Sequence, residues 1–238
     1  LRYYETVRDT EGGYSLSAYI ENFARDFFTI LTLAERRQVL AAGEHYPTSA
    51  LSVLAKLPED TGADVLAEVR ALDGRIGGLE GDVYDRLRVG IVATLGRFAD
   101  PDSQAYLHDL YRTQPERRAP VAMSLTQNPT GANWELLVDA LKTLEGTAAG
   151  DVLYALARVQ RRPDSPEPYR HAILQGLRLK ENGGDLAVAL LGHWTGERTS
   201  VHGDLPTQLA QYQAWYTRQF PDAPPAEPPQ VEVPPVEA

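Results

Sequence analysis

The stretch VATLGRFADPDSQAYLHDL, residues 92–110, decides the fold because its pattern returns further along the chain. It consists of an apolar helical segment, a proline and a second segment with leucines at helical spacing. The same order recurs at about 30-residue intervals, at residues 121–141 and 153–173. Each copy has one apolar face that it cannot bury alone, so neighbouring copies must stack. The repeat predicts an all-α fold, an α-solenoid of about five antiparallel helix pairs.

The sequence on either side of the repeats predicts a cap at each end. A glycine-rich stretch at residues 74–81 predicts a loop before the repeats begin. A last amphipathic helix follows the repeats, and we assign residues 1–220 to a single solenoid. Its parts are an N-terminal helical cap at about residues 1–72, repeats at about 82–195 and a C-terminal capping helix at 205–220.

Helix boundaries follow from capping residues and from apolar spacing. Thr32 and Glu35 stand three residues apart in a helix-start pattern, which predicts a capping box. The apolar residues from Leu51 to Leu72 predict one helix, and Asp82 is expected as the N-cap of the next. Further helices are expected at residues 103–113, 117–127, 132–144, 149–160, 167–180 and 184–194.

The chain changes character after the last helix. Residues 221–238 contain seven prolines, four acids and neither lysine nor arginine. Such a segment cannot bury enough apolar area to offset its ordering entropy. We therefore predict a disordered, acidic, proline-rich linker.

Composition narrows the class of function. The net charge of −10 argues against nucleic-acid binding, which needs a concentrated excess of Lys and Arg. The absence of cysteine excludes disulfides, thiolate metal sites and haem attachment through CxxCH, and we predict no bound cofactor. No apolar run approaches the ~18–20 residues of a membrane-spanning helix. Only three of the 23 basic residues are lysine, a bias that we attribute mainly to genome composition.

Basic residues concentrate in two successive predicted helices. They outnumber the nearby acids and could form a ridge that docks an anionic partner surface. The alternative is a solvated helix face with weak local ion pairs. The candidate docking residues are Arg158, Arg161, Arg162, Arg170, Arg178 and Lys180.

Aromatic residues mark both ends of the chain. Near the start they either pack internally or form a patch that contacts another domain; the candidate contact residues are Tyr3, Tyr4 and Tyr14. Near the end, Trp194 is expected to cap the core by packing on Trp215 and Tyr212.

The sequence leaves two other kinds of functional site as alternatives, a metal site and an acid–base site. His193, Glu197 and His202 could hold zinc, although their spacing matches no standard site. Acidic pairs such as Asp100/Asp102 could act in acid–base catalysis, but they stand where helix capping already explains them. Because the sequence contains no recognisable catalytic constellation, we expect a non-enzymatic chain without catalytic, cofactor-binding or metal-binding residues.

Two segments resemble the HEAT-repeat portion of large bacterial c-type cytochromes. At the start these are Gly12-Gly13-Tyr14-Ser15-Leu16-Ser17-Ala18-Tyr19-Ile20-Glu21-Asn22 and Leu31-Thr32-Leu33-Ala34-Glu35-Arg36. At the end they are His193-Trp194-Thr195-Gly196-Glu197, Trp215-Tyr216 and Phe220-Pro221-Asp222-Ala223-Pro224. Members of that family join a β-propeller dehydrogenase-like domain, HEAT repeats and a C-terminal haem domain. This chain has no CxxCH and no propeller, so no redox residue carries over.

The resemblance implies a spacer or docking module of an exported electron-transfer protein, in the periplasm or at the cell surface. No signal peptide is visible, and Leu1 suggests a piece of a longer protein with any targeting segment upstream. From the repeats, we predict a HEAT-like scaffold that binds proteins or flanking domains. The alternative is an accessory that positions a c-type cytochrome against a dehydrogenase. A HEAT-like enzyme, such as a lyase or DNA glycosylase, is a third class, and the negative charge argues against the glycosylase.

Overall fold

The computed structural model describes residues 28–197 and 203–227, and within these ranges the regular structure is helical, with no strand. This confirms the all-α prediction. The chain divides into two compact units, Leu1–Asn128 and Pro129–Ala238. Residues 1–27, which include Tyr3, Tyr4 and Tyr14, lie outside the described residues, so the predicted N-terminal contact patch stays a prediction.

Helices α1 to α6 build the first unit. Alternate helices pack on one another, α1 on α3 and α3 on α5 in one series, α2 on α4 and α4 on α6 in the other. Helix α1 also packs on α2, and α3 to α6 pack each on the next, so the two series form two layers with the core between them. The helices are α1 (Leu33–Ala41), α2 (Pro47–Leu54), α3 (Ala63–Ile76), α4 (Asp82–Arg97), α5 (Pro101–Thr113) and α6 (Arg118–Leu125), with a 3₁₀ turn at Pro115–Arg117.

Helices α7 to α11 build the second unit. Here α8 packs on α10, α9 packs on α11, and α9 and α10 lie side by side. The first helix, α7, packs against α8. The helices are α7 (Trp134–Ala140), α8 (Gly146–Ala157), α9 (Pro166–Leu179), α10 (Gly184–Thr195) and α11 (Leu205–Gln219), with a 3₁₀ turn at Lys180–Asn182.

The apolar stripe predicted for α4 is the centre of the first unit. Leu87, Ile91 and Leu95 are each fully buried, as their spacing of one helical turn predicts. Gly96 follows at the closest approach of α4 to α6. A Cβ atom at this position would lie only 2.5 Å from the carbonyl oxygen of Ser124, so glycine is required for the two backbones to meet.

Side-chain donors link each layer along the chain. In both units a donor reaches back to the carbonyl groups that end the helix two positions earlier, 31 to 43 residues away. These backward bonds join Arg75 to Leu40 (3.1 Å), Arg97 to Leu54 (3.1 Å), Asn128 to Gly96 (2.8 Å), Gln175 to Leu141 (2.6 Å) and Leu144 (2.9 Å), and the His193 ring to Val159 (3.2 Å). They add a side-chain donor at helix ends, where intrahelical amide donors run out. The Leu40, Leu54 and Val159 carbonyls also accept a backbone amide from the turn that follows.

Three helix predictions need correction. The span from Leu51 to Leu72 is two helices, because Pro58 and Gly62 lie in the break between α2 and α3. Helix α3 then continues to Ile76, so the glycine-rich loop is shorter than predicted. Asp82 is the first residue of α4, and Gly81, with φ of 116°, stands at the N-cap instead.

The linker prediction is wrong for its first residues. Residues 221–227 are described and return to the second unit, where Ala226 is only 4% exposed. Carbonyl groups of this segment accept hydrogen bonds from side chains of α9 and α11. Residues 228–238 lie outside the described residues, so disorder there stays a prediction.

Candidate functional site

Two of the predicted docking arginines lie over aromatic rings in the second unit. The Cζ atom of Arg158 lies 5.9 Å from the centroid of the Tyr154 ring, and Tyr154 is 57% exposed. The Cζ atom of Arg161 lies 4.3 Å from the Trp134 ring, and its guanidinium pairs with Glu135 at 3.1 Å. Both arginines are thus held at the end of α8 by cation–π contacts. Trp134 is 6% exposed, so its ring lies behind Arg161 in the core. We call Tyr154, Arg158 and Arg161 the Arg–aromatic surface.

The other predicted docking residues lie elsewhere. Arg162 is exposed and directly follows Arg161. Arg170 lies on α9 and donates a hydrogen bond to the carbonyl of Pro225. Arg178 is exposed near the far end of α9, about 12 Å along the helix from Arg170 at 1.5 Å per residue. Lys180 lines a separate cleft of about 620 Å³ beside the start of α11. The six cations therefore lie at several separate places along these helices.

The C-terminal tryptophans belong to an aromatic cluster organised by Tyr169. The Tyr169 ring lies 5.7 Å from Trp194 and 5.1 Å from Trp215, so it links the two indoles that we expected to stack directly. Trp194 also lies 6.3 Å from Trp134, and the Tyr212 hydroxyl donates to the carbonyl of Glu197. Tyr169, Trp194 and Tyr212 are buried in the second unit, whereas Trp215 is partly exposed. The capping role of Trp194 and Trp215 stays a prediction.

The zinc alternative has no support among the described residues. No group of three or more potential metal ligands occurs in residues 28–197 and 203–227. The Nε2 atom of His193 lies 3.2 Å from the Val159 carbonyl in the backward bond described above. His202 lies outside the described residues.

The capping residues act as the sequence predicts. Thr32 and Glu35 form the capping box at the start of α1. Asp100 caps α5 by accepting from the Ser103 amide at 2.8 Å, and it pairs with Arg70 at 2.9 Å. Partial burial works to raise the pKa of Asp100, but these hydrogen bonds and the Arg70 charge outweigh it and lower the pKa. A carboxylate held ionised in this way is suited to capping and unsuited to proton transfer near neutral pH.

A buried ionic cluster in the first unit was missed at the sequence level. Asp73 on α3 is 2% exposed and receives both Arg117 terminal nitrogens, at 2.7 and 3.1 Å. The Tyr106 hydroxyl donates to the same carboxylate at 2.5 Å. We call Asp73, Tyr106 and Arg117 the Asp73 cluster; it joins α3, α5 and the 3₁₀ turn before α6. Its signal was present, because Asp73 falls on the buried stripe between Val69 and Ile76.

The Asp73 cluster forms part of the wall of a cleft of about 790 Å³. Glycine-rich residues 77–81 line another side, held by Arg88, which donates to the carbonyls of Ile76 and Leu79. Burial, followed by the hydrogen bond to Asp73, raises the pKa of the Tyr106 hydroxyl, so it remains a donor at neutral pH. Both Asp73 oxygens accept hydrogen bonds from Arg117, and one also accepts from Tyr106. This carboxylate therefore links helices of the first unit and is not free to act as a base toward a ligand.

No family model, curated protein or solved structure matches this chain. The resemblance to cytochrome-associated HEAT repeats therefore stays a prediction. In the part of the chain that the structure describes, no helix has both the length and the apolar content needed to span a membrane.

Proposed function

We propose that this chain is a HEAT-like α-solenoid that holds protein partners or flanking domains in a fixed arrangement and does no chemistry itself. The observation that carries the proposal is the repeated link between alternate helices. In each unit, packing and backward bonds connect a helix with the one two positions earlier. Such nearest-neighbour coupling between successive repeats is typical of solenoids. Solenoids generally present extended surfaces for binding other proteins.

The Arg–aromatic surface is the part of the second unit best suited to a partner. Arginine and tyrosine are among the residues that most often dominate binding energy at protein interfaces. Here the Arg158 and Arg161 guanidinium groups are restrained by rings, so binding would cost them less rotamer entropy. Their charge favours an acidic partner surface.

The non-catalytic part of the proposal rests on the state of the buried charges. Asp73 is paired with Arg117, and Arg70 is paired with Asp100. General acid–base and nucleophilic catalysis need a reactive group that can reach a substrate. In the cleft of about 790 Å³, the buried Asp73 carboxylate is instead paired with Arg117.

Site-specific photocrosslinking tests the docking surface. A photoreactive phenylalanine derivative at position 154 is introduced into the chain in its native host. We expect discrete protein adducts that disappear in the Arg158→Glu/Arg161→Glu variant. The matched control is Arg112→Glu, a reversal at an exposed arginine on α5 in the other unit. Adducts that survive the double reversal unchanged would rule out this surface.

The second candidate is an accessory that positions a c-type cytochrome against a dehydrogenase, in the periplasm or at the cell surface. Its support is the resemblance of residues 193–197 and 220–224 to the family described above. The test is the intact mass and the visible spectrum of the protein isolated from its host. A species much larger than 26.3 kDa with a c-type Soret band would support it. A colourless 26.3 kDa protein would leave the free-standing scaffold.

A further inference from the structure

The first residues after α11 form a strap, residues 221–227, that returns across the second unit. Three side chains on two helices bond to three successive carbonyl groups of the strap. Tyr216 donates to Pro224 at 3.1 Å, Arg170 to Pro225 at 2.9 Å, and Gln213 to Ala226 at 2.7 Å. Ala226 is 4% exposed, which leaves no room for a large side chain.

Aromatic rings from the same two helices accompany these donors. Phe220 at the end of α11 lies 5.5 Å from Tyr216, 5.7 Å from Tyr169 and 5.9 Å from Trp215. Burial raises the pKa of the Tyr216 hydroxyl, so it keeps its proton and remains a donor. The surface of α9 and α11 thus combines packed aromatic rings with three donors that bond to backbone carbonyls of the strap.

This combination is the chemistry by which proteins bind proline-rich segments. Proline has no amide hydrogen, so its carbonyl oxygens are the backbone groups left for recognition. Grooves lined by aromatic residues select such segments because a proline-rich chain loses little entropy on binding. The strap carries prolines at 221, 224 and 225, and each of the three bonds is made to its backbone rather than to a side chain.

We propose that α9 and α11 form a recognition groove for proline-rich segments, which the chain's own residues 221–227 fill in this structure. The site is distinct from the Arg–aromatic surface, because the donors and the acceptors differ. It recognises a Pro-Pro-Ala backbone through Tyr216, Arg170 and Gln213, with a small residue required at the position of Ala226. The same groove accepts this sequence from a separate molecule whenever the strap is displaced.

Binding of a labelled peptide to the full chain tests the groove. The peptide carries residues 221–228, and the chain carries Ala226→Asp, which places a charge in a buried position and releases the strap. The matched control is Ala214→Asp, the same change at an exposed residue of α11. By fluorescence anisotropy we expect saturable binding to Ala226→Asp at least tenfold tighter than to the wild type or to Ala214→Asp. Adding Gln213→Ala should weaken it about fivefold, the loss of one hydrogen bond.

Absence of saturable binding to a folded Ala226→Asp chain, or equal binding to all three proteins, would overturn the proposal. A second measurement does not depend on that variant. A proline-specific endopeptidase should cleave after Pro225 faster in Arg170→Ala/Gln213→Ala than in the wild type, with products identified by mass. An unchanged rate at Pro225 would show that these donors do not hold the strap, and would also refute the groove.

Discussion

Replacing Arg117 by methionine is the sharpest test of how the first unit is held together. The side chain of Arg117 is 12% exposed and that of Asp73 is 2% exposed, so the pair is shielded from water. Methionine keeps most of the side-chain length and removes the charge and both hydrogen bonds to Asp73. Asp73 then keeps only the Tyr106 hydroxyl as the partner seen here.

The magnitude follows from the cost of a buried charge without its partner. Breaking a buried ion pair by removing one member costs about 3–5 kcal/mol. For a chain of this length that corresponds to a melting temperature lower by roughly 6–20 °C. The double variant Asp73→Leu/Arg117→Met removes both charges, so its expected cost is about 1–2 kcal/mol, part of which is the Tyr106 hydroxyl left without its acceptor.

Thermal and urea unfolding followed by far-UV circular dichroism measure these costs. The matched control is Arg37→Met, because Arg37 is 52% exposed and lies 3.6 Å from Asp64 in an open ion pair. That change should cost under about 1 kcal/mol. The single variant Asp73→Leu completes the double-mutant cycle. The stabilising role assigned to the Asp73 cluster is wrong if Arg117→Met costs no more than Arg37→Met, or if the costs of Asp73→Leu and Arg117→Met simply add in the double variant.

Two further predictions concern backbone contact and pH. Gly96→Ala should destabilise the first unit by about 1–3 kcal/mol because its methyl group meets the Ser124 backbone. Gly74→Ala, with open space around it, should stabilise α3 by about 0.5–1 kcal/mol. Urea unfolding midpoints that shift in the same direction for the two variants would contradict this. Burial, aided by the Lys142 charge, lowers the pKa of His171, so the unfolded chain binds the proton first. The free energy of unfolding should therefore fall as the pH drops through about 6.5, and His171→Gln should flatten that slope; equal slopes would refute the assignment.

The helical architecture was predictable because its signal is local. The spacing of Leu87, Ile91 and Leu95 places them on one face whatever the neighbours are, and all three are buried. The error between α2 and α3 came from following apolar residues across Pro58, where proline in a helix interior costs about 3 kcal/mol. The position of Pro58 in the sequence was therefore enough to predict the break between α2 and α3.

The contacts of charged and tail residues were not predictable in the same way. The position of Asp73 on a buried stripe indicates that it needs a partner, but Arg117 lies 44 residues further on and is brought there by tertiary packing. The strap illustrates the same limit. Its low apolar content predicts disorder, and only the placement of Arg170, Gln213 and Tyr216 on two helices supplies its hydrogen bonds.

The backward bonds restrict how this chain can change length in evolution. Duplication or loss of a whole helix pair within a unit brings each donor to the end of an equivalent helix, as Arg97 now meets Leu54. Duplication or loss of a single helix moves every later helix of the unit to the other layer. Each donor then faces a helix that does not carry its carbonyl partner. The cost is clearest at the Leu141 and Leu144 carbonyls, which accept from Gln175 in a buried position. A buried carbonyl that loses its donor costs about 1–3 kcal/mol, a large share of the stability of a domain. Insertions and deletions in each unit are therefore tolerated in steps of two helices.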